Sequence, residues 1–257
     1  MTRRRTRHRM PLVVLVFVFL MTALDVRAQE DGWRFDLTVY GWLPSIRGDL
    51  RYALPVLGDE ITVRPETLLD NLDFTAMAAL AARHGPWSMT ADVLFLSEAA
   101  QGSARLGPGP GIRYDTELEV DVWIAGLDGS YRLISRGQWT LDLLAGVRCL
   151  SADSMFVLRS PGPGFDVGIE ASTQIWNGVV GVRGRFALSD RWFVPYLLDV
   201  GAGDSHPTWQ IRTGLGVDFG WARVVLAWRN LTFDQGEAGW LRDLELSGAE
   251  LGVVIPF

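Results

Sequence analysis

Residues 243–257 run DLELSGAELGVVIPF, and counting back from Phe257 every second residue is apolar: Ile255, Val253, Leu251 and Ala249. Between them stand Pro256, Val254, Gly252, Glu250 and Gly248. A period of two is that of a β-strand, whose successive side chains point to opposite faces. One face of this segment is apolar and the other is not. If the apolar face looks outward, the chain must supply an even number of such strands to close the sheet.

The same alternation recurs upstream. WRFDLTVYGWL sets Trp33, Phe35, Leu37 and Val39 against Arg34, Asp36, Thr38 and Tyr40. WSMTADVLFLSE puts Trp87, Met89, Ala91, Val93 and Phe95 on one side. In RYDTELEVDVWIAGLDGSYRLI, Thr116, Leu118, Val120, Val122 and Ile124 oppose Asp115, Glu117, Glu119, Asp121 and Trp123. WTLDLLAGVRCLS turns Trp139, Leu141, Leu143, Ala145 and Val147 outward, and TQIWNGVVGVRGRFAL, WFVPYLLDVG, TWQIRTGLGVDF and WARVVLAWRNLTF follow. The alanines of LDFTAMAALAARHG suit a helix by propensity. A helix there would leave an odd strand count, so parity makes this segment a strand too.

Ten strands result, joined alternately by tight turns (HGP, SRGQ, SDR, Gly220) and long connections (44–71, 99–113, 152–172, 203–207, 234–242). Short turns on one side and long loops on the other describe an all-β, closed antiparallel transmembrane barrel. In the first long excursion IRGDLRYAL and DEITV can make a protruding hairpin, and PETLLDNL reads as a short helix opening with Pro65. If that hairpin also crosses the bilayer, the barrel has twelve strands. Neither of its strands opens with tryptophan, whereas the strands after tight turns all do: Trp87, Trp139, Trp192 and Trp221, with Trp33 opening the first. Indole prefers a membrane–water interface, so these five and Phe257 form an expected girdle on the tight-turn side. Trp176 and Trp209 are candidates for the opposite one.

The other end of the chain agrees. A basic head (MTRRRTRHRM), an apolar run (PLVVLVFVFLMTAL) and Val26-x-Ala28 describe a secretory signal peptide over 1–28, with the barrel domain at 29–257. Without residues 1–28, which hold six Arg and one Asp, the net charge moves from -6 to about −11. That excludes an electrostatic case for nucleic acid. Cys149 is the lone cysteine, so no internal disulfide is expected.

GWRFDLTVYGWLPSIRGDL, ETLLDNLDFTAMAALAARHGPW, VVGVRGRFALSDRWF and WRNLTFDQG…LSGAELGVVIPF resemble a family of proteobacterial outer-membrane β-barrel proteins of about this size. The resemblance covers most of 29–257 and is weakest in the loops. Where that family would have a glycine-rich D-x-G-G-F-G segment, this chain has DVGAGDS. The final aromatic is similar to the assembly signal of such barrels. The resemblance implies outer-membrane location, handling of the last strand by the barrel-assembly machinery and a monomer in lipid. The family has no established activity, so no catalytic residue is carried over.

With apolar faces on lipid, the remaining faces line the interior. The expected lumen set includes Glu117, Glu119, Asp121, Arg148, Arg183, Arg185, Asp199, Arg212, Arg229 and Glu250, besides Arg34, Asp36, Arg83, Asp92 and Asp142. Mixed signs suit carboxylate–guanidinium pairing across strands. The expected function is a narrow pore for small polar solutes or ions; the alternative is a structural or surface-interaction barrel with a sealed, salt-bridged interior. An enzyme is disfavoured. His84 sits in a turn, and His206 beside Asp204 and Ser205 is too local for a triad, whose members converge from separate segments. No metal-ligand spacing and no cofactor motif is present.

Overall fold

The computed structural model describes residues 32–53, 60–63, 72–106, 112–159, 166–205, 207–234 and 241–257. Eleven strands occur in it: β1 (Trp33–Ala53), β2 (Glu60–Val63), β3 (Leu72–His84), β4 (Trp87–Leu106), β5 (Ile112–Arg136), β6 (Trp139–Arg159), β7 (Val167–Ala187), β8 (Trp192–Gly203), β9 (Thr208–Asp218), β10 (Arg223–Phe233) and β11 (Leu241–Pro256). Each pairs antiparallel with its sequence neighbour, except that β3 pairs with β1 and the short β2 hangs from the far end of β1. Pairing of β11 with β1 closes a ring of ten strands. Closure leaves no free edge through the body of the barrel.

The alanine-rich segment 72–84 is strand β3, as parity requires. Gly85, Gly137 and Gly220 take positive φ in the tight turns, a conformation that a side chain disfavours. Two expectations need correction. The long excursions are far shorter than 44–71, 99–113 and 152–172, because β1, β4, β5, β6 and β7 run on as strands into those stretches. The twelve-strand alternative fails too, since residues 46–53 belong to β1 itself and β2 pairs only with the far end of β1. Among the described residues there is no helix; the one expected at 65–72 falls on 64–71, outside them, apart from Leu72, which is strand.

Around the outside, Val39, Leu43, Met89, Leu127, Leu143, Val180, Val200, Leu226 and Leu251 are exposed. This belt is bounded at the tight-turn end by Trp33, Trp87, Trp139, Trp192, Trp221 and Phe257, all exposed, Trp221 to 75%. The rings pair across strands: Trp33 stacks on His84 at 5.0 Å, Phe35 on Phe257 at 5.7 Å, Trp87 meets Tyr131 at 4.8 Å and Trp139 meets Phe186 at 4.6 Å.

The closing seam is held by exchange of backbone hydrogen bonds between Phe35 and Phe257 (3.0 and 2.9 Å) and by Trp42 Nε1 donating to the Gly248 carbonyl at 3.2 Å. A Cβ on Gly248 would run into the Leu43 carbonyl oxygen, whereas one on Gly41 of the same seam would meet nothing within 4 Å. Gly248→Ala should therefore cost about 1–3 kcal/mol and lower the yield of heat-modifiable folded barrel on gels, while Gly41→Ala should fold as the parent does.

Candidate functional site

Period two and a fixed register carry one set of side chains to the interior along the whole length of each strand. In β6 that set is Asp142, Leu144, Arg148, Leu150, Ala152, Ser154, Phe156 and Leu158. Its charged members, Asp142 and Arg148, lie toward the tight turns, and beyond Arg148 it is apolar apart from Ser154. Other strands change in the same way, and the interior divides into two zones.

In the turn-side zone, Asp142 accepts from Arg132 Nε at 2.7 Å and from Arg83 Nη2 at 3.1 Å. Arg183 donates to Thr90 Oγ1 at 2.8 Å and pairs with Asp128; Arg223 pairs with Asp36. Deeper in, Arg148 grips both oxygens of Asp199 at 2.8 and 2.7 Å. Gln210 then bridges, donating to Asp199 at 3.1 Å and accepting from Arg229 Nε at 3.0 Å. Arg229 also donates to Tyr40 Oη at 3.3 Å and to Asp92 at 3.4 Å, and Tyr40 donates to Asp92 at 2.6 Å. Glu250, 1% exposed, pairs with Arg212 and lies 3.8 Å from Arg229. One connected network thus ties β1, β4, β6, β8, β9, β10 and β11 together. Buried charges persist when paired and hydrogen-bonded in this way. The zone encloses a cavity of about 1070 Å³ whose wall includes Arg34, Asp36, Arg185, Pro256 and Phe257 near the strand ends at the tight turns.

The second zone begins where the Arg229 guanidinium lies over the Trp42 ring, 4.8 Å from its centroid. Beyond it, Trp42, Leu94, Leu96, Leu150, Phe156, Leu231, Phe233 and Leu246 form one buried apolar cluster. Its members come from β1, β3, β4, β5, β6, β7, β10 and β11, so it fills the bore from nearly all sides. Under β8 and β9, which are shorter, Asn177, Ser205 and Thr208 complete the filling: Ser205 Oγ donates to Asn177 Oδ1 at 2.9 Å and Thr208 Oγ1 to the Thr232 carbonyl at 2.7 Å.

Arg148, Arg183, Asp199, Arg212, Arg229 and Glu250 have their side chains in the turn-side zone, and Arg185 stands exposed at its mouth. Glu117, Glu119 and Asp121 do not line the lumen. On β5 the interior positions are Leu118 and Ile124, and the three acids point outward: Glu117 pairs with Arg159 at 2.6 Å and Asp121 accepts from Ser97 at 2.6 Å. The reason is the reversal of surroundings along the strand. Leu127, Tyr131 and Leu133 face outward near the turn end of β5, but further along the outward positions are acidic and the inward ones apolar.

Sequence reasoning missed Tyr40, Gln210 and Trp42, which carry no charge; their inward parity was the available signal. Trp123, tilted against Phe95 at 4.4 Å, and Trp228, donating to Ser247 at 3.2 Å, join Trp176 and Trp209 on the outer surface. His206 lies outside the described residues, while Asp204 accepts from the Trp176 backbone N–H at 2.9 Å. Among the described residues no group of His, Cys, Asp or Glu is arranged to hold a metal.

No family model and no curated protein matches the sequence, so the resemblance to an outer-membrane family has no such match behind it. Solved structures with similarity include the translocator domain of the autotransporter NalP from Neisseria meningitidis (14% identity, 96% of this chain and 95% of that one, TM-score 0.45). Two others are Ail, the attachment invasion locus protein of Yersinia pestis (10%, 88% and 99%, TM-score 0.33), and the toluene transporter TbuX of Ralstonia pickettii (12%, 88% and 72%, TM-score 0.35). Their occupations differ, and at this level of likeness none transfers.

Removing one member of a buried ion pair should expose its value. Arg148→Met leaves Asp199 buried with Gln210 alone and should lower stability by about 3–5 kcal/mol, read from the urea unfolding midpoint in detergent. The double variant Arg148→Met/Asp199→Leu should recover most of that loss.

Proposed function

We propose that this chain is an outer-membrane barrel whose interior is sealed, a structural or surface-interaction protein rather than a pore. The apolar cluster beyond Trp42 carries the reading. A permeating ion would have to leave the charged zone and cross between Leu150, Leu231 and Phe233, all fully buried. An unpaired charge in such surroundings is strongly disfavoured. The narrow-pore reading draws on the charged cavity, but Trp42 and the rest of the apolar cluster are not part of that cavity's wall, apart from Tyr40 and Ile124.

Membrane insertion is supported by the outer surface. Trp176 and Phe186 of β7 face outward ten residues apart, as do Trp209 and Phe219 along β9 and its turn. About 9–11 residues of tilted strand cross a bilayer, so aromatic rings at these separations fit its two interfaces. In this reading residues 1–28 direct export and are removed, β11 with Phe257 engages the barrel-assembly machinery, and the barrel stands alone in lipid. The strands projecting past the second aromatic ring present Glu117, Glu119, Asp121 and Asp153 outward, an acidic surface available to partners outside the cell.

Two measurements test these parts separately. Protein folded into planar bilayers should give no conductance steps above leak, and Trp42→Ala/Phe233→Ala, checked for folding by heat-modified migration, should introduce them. Discrete openings from the parent protein would sink the sealed-barrel reading. On the belt, Leu226→Arg should destabilise folding into liposomes by about 2–4 kcal/mol; no penalty there would argue against a lipid-facing belt.

A further inference from the structure

The turn-side cavity has more cation than anion in its wall. Among the described side chains, nine arginines and six aspartates bound it, and Glu250, behind the wall, is engaged by Arg212 and Arg229. Composition does not explain this excess, because the chain beyond residue 28 is acidic, at about −11.

Two arginines are left over at the mouth. Arg34 and Arg185 have no carboxylate within ion-pairing distance among the described residues; Arg185 rests over the Phe193 ring, 5.7 Å from its centroid. Arg34 lies directly across the ladder from another arginine, Arg83. The remaining acid of the mouth, Asp218, accepts from the Gly220 backbone N–H at 2.8 Å. In the ring of ten, β1 and β7 are five strands apart, so the two free guanidinium groups rise from opposite sides. Further in, Arg83 Nη1, Arg148 Nη1 and Arg183 Nε are buried without an acceptor. Buried donors are seldom left unsatisfied.

We propose that this cavity is a binding site for a small organic anion carrying phosphate or carboxylate groups, admitted from the tight-turn side. Guanidinium forks match both groups in a bidentate manner. The volume of about 1070 Å³ suits a small molecule with water to spare. Leu144, Val179, Phe193 and Val225 offer apolar wall for a carbon skeleton. The inference rests on the sealed reading in one respect only: with the far end filled, the anion is held and not passed on.

The test uses the full chain folded in detergent, with pyrophosphate and citrate as probes, choline as the cationic control, and isothermal titration calorimetry as the readout. At low salt at least one of the two anions should bind, choline should not, and high salt should weaken the binding. Arg34→Gln/Arg185→Gln, which leaves every ion pair of the interior in place, should migrate as a folded barrel and bind about tenfold or more weakly, as expected for two lost charge-assisted contacts. Binding of pyrophosphate alone assigns the site to phosphates, and of citrate alone to carboxylates. Absence of binding by both anions, equal binding of choline, or an undiminished affinity in the double variant overturns the proposal. Conductance steps from the parent protein would remove the sealed-barrel reading and leave the anion site standing; silent bilayers without anion binding would do the reverse.

Discussion

Closure of β11 onto β1 is the constraint on which the rest depends. Once Val39 lies opposite Val253 and Trp42 opposite Glu250, the inward set of every strand is settled around the ring, because each register follows from its neighbour. A slip of one residue at any ladder would exchange the inside and outside of a whole strand. The seam enforces its register through close backbone approach at Gly248 and the Trp42 indole bonded to its carbonyl. Trp42 therefore has two tasks, locking the seam and flooring the charged zone beneath Arg229.

Because parity cannot change along an unbulged strand, a change of surroundings must be written as a change of polarity. β6 shows it most plainly. Leu143 and Val147 lie outside against Asp142 and Arg148 inside; farther along, Leu150, Phe156 and Leu158 are inside and Asp153 and Arg159 outside. No bulge separates the two halves of β6 where it pairs with β7. The boundary falls near the level of the second aromatic ring, where the outward surface ceases to be apolar.

This explains what was legible and what was not. Strand periods, the tight turns and the tryptophans opening each returning strand are local signals, and they gave the ring of ten. The acids Glu117, Glu119 and Asp121 were placed on the wrong face because alternation reveals two faces without saying which environment each meets. Extending the apolar-outward rule beyond the aromatic ring inverted them. Reading parity from Leu127 and Tyr131 and carrying it along β5 would have put Leu118 inside. The strand continuations were hidden for a related reason: the glycine- and proline-rich tips suggested long loops, although the flanking residues still pair.

The two interior zones also account for each other. A bore filled with leucine and phenylalanine is a nonpolar floor, and floors of that kind favour ion pairs only where every charge has a partner. The guanidinium next to the floor is accordingly the most extensively paired, Arg229 with Gln210, Tyr40, Asp92 and Glu250. Toward the mouth, where water can hydrate a lone guanidinium, pairing loosens until Arg34 and Arg185 have no carboxylate partner among the described residues. If the network served only to fill the barrel, that excess would most simply be cancelled by one or two further acids, in a chain with acids in surplus elsewhere. Its persistence at the open end, facing a cavity closed at the other, is what a receptor for anions requires and what a structural filling does not.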